Sequence, residues 1–152
     1  MPDISDLHYE NTPTAPLHDG EEVLASLSPD RATYRRDHAW MAAIAMGVGM
    51  TILWALGNPH VWTGAIGGLA AILLRGWYVA SDELAQRWHL TDRRLLGPGR
   101  RAIGLKEIKS VNTLMSAVQV VTYSGGKHLI KYQPDGQATK ALIERVQAGG
   151  QP

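Results

Sequence analysis

The chain has 152 residues, with 15 Lys/Arg against 14 Asp/Glu, a net charge of +1, and neither cysteine nor phenylalanine. Without cysteine there is no disulfide framework, thiolate nucleophile or cysteine-type zinc site. The near-zero net charge hides an asymmetry: residues 1–22 contain six acids and no Lys or Arg, whereas residues 82–152 hold 11 Lys/Arg against 6 Asp/Glu. Nothing pairs that basic half with a nucleic-acid recognition motif, so nucleic acid is not expected as a partner.

Residues 1–20, rich in Pro, Asp, Asn and Thr, lack apolar periodicity and read as a disordered acidic N-terminal tail. They have neither the basic start nor the apolar run of a signal peptide. Residues 21–38 form a juxtamembrane segment. Its apolar patch Val23, Leu24 and Leu27 is either a strand that joins a later sheet or an interfacial segment. Ser28-Pro29-Asp30 ends that patch, and Arg31–His38 leads as a helix into the long apolar stretch that begins at Ala39.

Residues 39–80 are the most distinctive part of the chain. Their ionisable side chains are His60, Arg75 and Tyr78. Ala39–Gly57 and Val61–Ala80 each approach the roughly 20 apolar residues that cross a bilayer core as a helix. Asn58-Pro59-His60 leaves room only for a tight turn. The stretch therefore reads as a transmembrane helical hairpin. The alternative, a buried helical hairpin of a soluble domain, fits poorly with two uncharged runs back to back. Gly47, Gly49, Gly64 and Gly68 are candidate helix-packing positions: Ala43 and Gly47, Ala45 and Gly49, and Gly64 and Gly68 stand four apart, which lets backbones approach. They could pack the hairpin on itself, join two copies into a homo-oligomer or dock on a larger complex. Arg75 is an intramembrane charge that either snorkels to the headgroups or serves a partner or substrate. Trp40, Trp54, Trp62, Trp77 and Tyr78 fall near the span ends, where an aromatic belt belongs. Arg31, Arg35 and Arg36 before the hairpin, and Arg87, Arg93 and Arg94 after it, orient both termini to the cytoplasm.

Residues 81–148 read as one small cytoplasmic domain. Leu84–Leu96 contains WHLTDRRLL, whose alternation suggests a strand. Gly97-Pro98-Gly99 is a turn. Ala102–Leu105, Ile108–Leu114, Ala117–Tyr123 and Lys127–Tyr132 follow as strands, the last two joined at Ser124-Gly125-Gly126. Asp135 opens a final amphipathic helix with Ala138, Leu142, Ile143 and Val146 on its apolar face. The fold class is α+β: a two-helix hairpin plus a small antiparallel β domain capped by a C-terminal helix.

The residues Glu21–Leu24 with Pro29, then Trp88, Leu90, Thr91, Asp92, Arg93, Arg94 and Leu95, then Ile103, Leu105, Ile108 and Val111, with Gly125-Gly126 at a hairpin, resemble bacterial pleckstrin-homology-like membrane proteins. The resemblance covers about residues 21–147. It implies a bent sheet of seven strands capped by a helix, and a place in the bacterial inner membrane. Some members of that family assist assembly of membrane protein complexes, including photosynthetic ones. The basic pattern of eukaryotic lipid-binding relatives is not matched here, so phosphoinositide binding does not carry over.

Candidate lipid- or partner-binding residues are Arg93, Arg94, Arg100, Arg101, Lys106 and Lys109, because guanidinium and ammonium groups hold phosphate or an acidic surface. Gly97-Pro98-Gly99-Arg100-Arg101 is the better candidate for a phosphate-facing loop, with Lys106 and Lys109 nearby in sequence. For Arg93 and Arg94 the alternative is structural: Thr91 and Asp92 shape a bend, and the arginines pair with Asp92 or water. The six histidines show no metal-ligand spacing, and there is no P-loop or G-x-S-x-G elbow. No catalytic residue, cofactor or metal is expected. The expected function is a non-enzymatic, multi-pass inner-membrane protein whose cytoplasmic domain binds a membrane-protein partner, as a scaffold or assembly factor. The alternatives are an anionic-lipid-sensing module and a small transporter subunit that uses Arg75.

Overall fold

A computed structural model describes residues 13–151. It is an α+β chain of seven strands and three α-helices among the described residues. Its order is β1 (Val23–Leu27), α1 (Arg31–Ala55), α2 (Trp62–Leu84), β2 (Trp88–Thr91), β3 (Arg94–Gly97), β4 (Arg101–Gly104), β5 (Ile108–Leu114), β6 (Ala117–Thr122), β7 (Lys127–Ile130) and α3 (Gly136–Gln147). It divides into two compact units, the helical pair Arg31–Leu84 and a β unit made from the residues on either side.

In the helical unit, α1 and α2 hold 25 and 23 residues, long and apolar enough to cross a membrane. At 1.5 Å per residue they extend about 37 and 35 Å. Only 11% of the most apolar window of α1, and none of that of α2, is buried. Trp54, Trp77 and Tyr78 are 73–83% exposed. A core helix of a soluble protein would hide such rings. The turn is built as its residues suggest: Gly57 takes φ +68°, and the Asn58 side chain accepts from the His60 N–H at 2.8 Å.

In the β unit, four antiparallel strands run in the order β1-β2-β3-β4 and three in the order β5-β6-β7. The patch of residues 23–27 is a strand, pairing with β2 through Ala25↔Leu90 and Leu27↔Trp88. The WHLTDRRLL stretch is two strands rather than one, folded back at Asp92-Arg93 so that Leu90 faces Leu95. All four residues of β2 are buried, so its alternation does not sort one wet face from one dry face. Leu90, Leu95 and Ile103 from the first sheet meet Val111, Val118, Val120 and Ile130 from the second. Ile143 and Val146 of α3 close that core. Asp135 caps α3, its carboxylate accepting from Ala138 N–H at 2.9 Å. Thr139, not Ala138, takes the inner face of this helix.

Residues 13–20, which composition assigns to a disordered tail, instead lie along β3. Thr14 donates to the Gly97 carbonyl at 2.6 Å, and the Pro16 carbonyl accepts from Arg94 at 3.1 Å. Residues 1–12 of that tail lie outside the described residues.

Candidate functional site

The β2–β3 turn carries the most specific motif, Leu-Thr-Asp-Arg-Arg, and its chemistry is directed inward. The Arg94 guanidinium grips the Glu21 carboxylate with both ends of its fork, Nε to Oε1 at 3.0 Å and Nη2 to Oε2. The Glu21 side chain is fully buried and that of Arg94 is 16% exposed. The Thr91 hydroxyl donates to Glu21 Oε1 at 2.6 Å and accepts from the Arg94 N–H at 2.8 Å. The His18 N–H gives Glu21 Oε2 a further bond at 2.8 Å. The Arg94 bond holds the Glu21 carboxyl down at about 2; burial opposes it, and the His18 and Thr91 donors assist. The same bond raises the Arg94 pKa. A buried bidentate pair of this kind clasps chain segments together. The Arg94 guanidinium is thus engaged by Glu21, as in the structural alternative, with Glu21 in place of Asp92.

The other predicted cations divide between two ends of the β unit. Arg93 sits 3.4 Å from the Asp92 carboxylate and reaches toward the Asp19 and Gly20 carbonyls. Leu105 N–H donates to the Arg93 carbonyl, which places Lys106 at the same end. There Asp92, Arg93, Lys106 and Glu107 line a cleft of about 520 Å³, with acids and bases mixed. Lys109 lies just beyond, exposed at the start of β5. Arg100 and Arg101 stand at the opposite end, exposed on the β3–β4 turn. The six cations thus form no single basic face.

The outer face of the β5–β7 sheet was not singled out in the sequence. Register places Ser110, Asn112 and Leu114 of β5, Ala117, Gln119 and Val121 of β6, and Lys127 and Leu129 of β7 on the side away from buried Val118 and Val120. Lys127 is the charged residue among these. Leu114 and Leu129 are 48% and 40% exposed, and Met115 at the β5–β6 tip is 94% exposed. The signal was present in the alternation of AVQVVTY and KHLI, whose outward positions are mostly uncharged.

In the helical unit, three of the four predicted glycines lie in the contact between α1 and α2. A Cβ on Gly64 would fall 2.4 Å from the Gly49 backbone, and one on Gly68 would fall 2.5 Å from the Ala45 backbone. Gly49 meets Gly64 in the same way. Gly47 has nothing within 4 Å of its Cβ position and takes no part in this contact. Arg75 is exposed on α2. Next to it, the Gly76 carbonyl accepts from the Tyr34 hydroxyl at 2.7 Å, and the His38 ring lies 2.9 Å from the Gly76 Cβ position. Tyr34, His38, Leu73 and Trp77 line an apolar groove of about 480 Å³ there. No group of His, Asp and Glu suited to a metal ion occurs among the described residues.

Compared with known proteins, the chain matches no family model, no curated protein and no solved structure.

Proposed function

We propose that this chain is a non-enzymatic integral membrane protein of the bacterial inner membrane, and that its pleckstrin-homology-like cytoplasmic domain binds a membrane-protein partner as a scaffold or assembly factor. Three features support the membrane reading: the length of α1 and α2, their exposed apolar surface and the aromatic residues near their ends. The positive flanks favour both termini on the cytoplasmic side. The likeness to the pleckstrin-homology-like family is supported by a four-strand sheet, a three-strand sheet and a closing helix, the strand number which that resemblance implies.

The observation that carries the binding role is the outer face of β5–β7. Its outward positions hold two lysines, Lys127 and, in the bulge at the start of β5, Lys109, with no acid, and Leu114 and Leu129 lie open on it. A sheet face that meets only water is usually studded with charge, whereas the core of an interface is depleted of it. Lipid sensing by one broad basic face is less well supported, because Arg94 is held by Glu21 and Arg93 by Asp92. Glu21, held down by Arg94, and Arg94, held up by Glu21, are locked to each other, which favours a structural role for them over catalysis.

The test is extraction of the tagged full-length chain in mild detergent, beside Leu129→Glu. A membrane protein that is stoichiometric with the wild type and lost from the folded variant supports the role. Equal recovery with both chains, or none with either, contradicts it.

A further inference from the structure

One end of the β unit gathers features that no single element reveals. Leu27 and Trp88 are a register pair, so the chain leaves β1 and returns to β2 side by side. Three residues separate Leu27 from α1, and three separate α2 from Trp88. A link of three residues spans at most about 10 Å. The β3–β4 turn stands at this same end: a Cβ on Gly97 would touch the Trp88 ring, and Gly97 pairs with Arg101. So does the β5–β6 tip. The Gln133 N–H donates to the Ser116 carbonyl at 2.7 Å, and the Gln133 side chain donates to the Ser28 carbonyl at 3.3 Å.

The tips of these two turns are unusual. Arg100 takes φ +60° and Met115 φ +54°, a region where glycine is the unstrained choice. Both side chains are exposed, Met115 at 94% with Leu114 beside it. A bare methionine on a strained turn has no role in the core. Strain that is kept at an exposed tip points to a use for the side chain.

We propose that this end of the domain is a second membrane-contact site, in which Met115 enters the lipid headgroup layer and Arg100 and Arg101 hold anionic headgroups. The inference rests on the reading of α1 and α2 as membrane spans, and adds a site to it. The occupant is the bilayer because the two links tie this end to the apolar helices. Cations near an anionic leaflet and apolar residues at the headgroup boundary reinforce each other. Asp30 and the helix-capping Asp135 also lie at this end, with half-buried Arg87 and Lys131 beside Trp88 and Tyr132, so Arg100 and Arg101 are its exposed cations.

The chain has no cysteine, which allows single reporters. The full-length protein is placed in nanodiscs that contain brominated lipid, with or without phosphatidylglycerol. A fluorophore is attached in turn to Met115→Cys, to Ser124→Cys on the β6–β7 turn and to Leu74→Cys within α2. Bromine quenches only what lies in the lipid. The proposal expects strong quenching at 74, clear quenching at 115 that grows with phosphatidylglycerol and weakens in high salt, and none at 124. Replacing Arg100 and Arg101 with Gln should move the signal at 115 most of the way toward its level in neutral discs. Quenching at 74 with no difference between 115 and 124 overturns the contact site and leaves the spans standing. No quenching at 74 overturns the spans, and the site with them. Shielding at 115 that appears only with a bound protein, and without quenching, assigns this end to that partner and also overturns the proposal.

Discussion

Glu21 and Arg94 are 73 residues apart in the chain and joined by two hydrogen bonds, with the carboxylate wholly buried. Between them in sequence lie both apolar helices. The pair therefore fixes the segment before the helical unit to the sheet that comes after it. Thr91 completes the clasp by bonding to both partners.

Breaking one side of this clasp leaves a buried charge without its counter-ion. Arg94→Met and Glu21→Gln should each destabilise the β unit by about 3 kcal/mol, the low end for a buried pair because Arg94 keeps some exposure. Arg94→Lys should recover little, because an ammonium cannot fork the carboxylate. Denaturant titration of the full chain in micelles measures this. A loss within error of zero for Arg94→Met would show that the pair contributes no stability.

The same pair sets a pH dependence. The Glu21 carboxyl titrates at about 2 in the folded chain against 4.5 for the free group. A depressed carboxylate stabilises fully above its unfolded value, and that contribution is lost as pH falls through its folded value. The stability gap between wild type and Glu21→Gln should therefore narrow from pH 4.5 down toward 2. A gap that stays constant across this window would mean that the carboxylate charge is not what stabilises.

Much of this architecture was legible in the sequence. The turn between α1 and α2, the α3 cap at Asp135 and the strands from Ile108 onward follow from uncharged length, cap chemistry and alternation, all of which are local, whereas α2 runs past Ala80 through Ser81-Asp82-Glu83 to Leu84. The role of Arg94 was not legible, because its partner lies beyond two helices and no local pattern announces Glu21. The split of WHLTDRRLL into β2 and β3 was hidden for a related reason. Thr91 makes the bend by accepting from the Arg93 and Arg94 N–H groups, and polar residues inside an apolar run resemble the wet face of one strand. Gly47 shares the spacing of Gly49 but not its face of the helix. Spacing alone gives the repeat and does not say which face meets the neighbour.

That difference is measurable. Gly64→Val places a side chain against the Gly49 backbone, which cannot step aside cheaply, and should cost about 2 kcal/mol by overpacking. Gly47→Val meets open space and should leave stability within about 0.5 kcal/mol of wild type. Thermal melting of both variants in the same micelle compares them. Equal losses would remove Gly64 from the α1–α2 contact.

Asp135→Ala removes the N-cap of α3 and should cost about 1 kcal/mol, whereas Asp135→Ser should restore most of it. Amide exchange of the first turn of α3 reports this locally. Unchanged protection at Ala138 would rule out the cap.

The proposed function requires that both apolar helices cross a membrane with the β unit on the inner side. His60→Cys, in the turn between α1 and α2, and Ser124→Cys, in the β unit, can each be challenged in intact spheroplasts with a thiol reagent that does not cross membranes. Labelling is expected at 60 in intact cells and at 124 only after lysis. Labelling of both, or of neither, before lysis would contradict the membrane hairpin and its orientation.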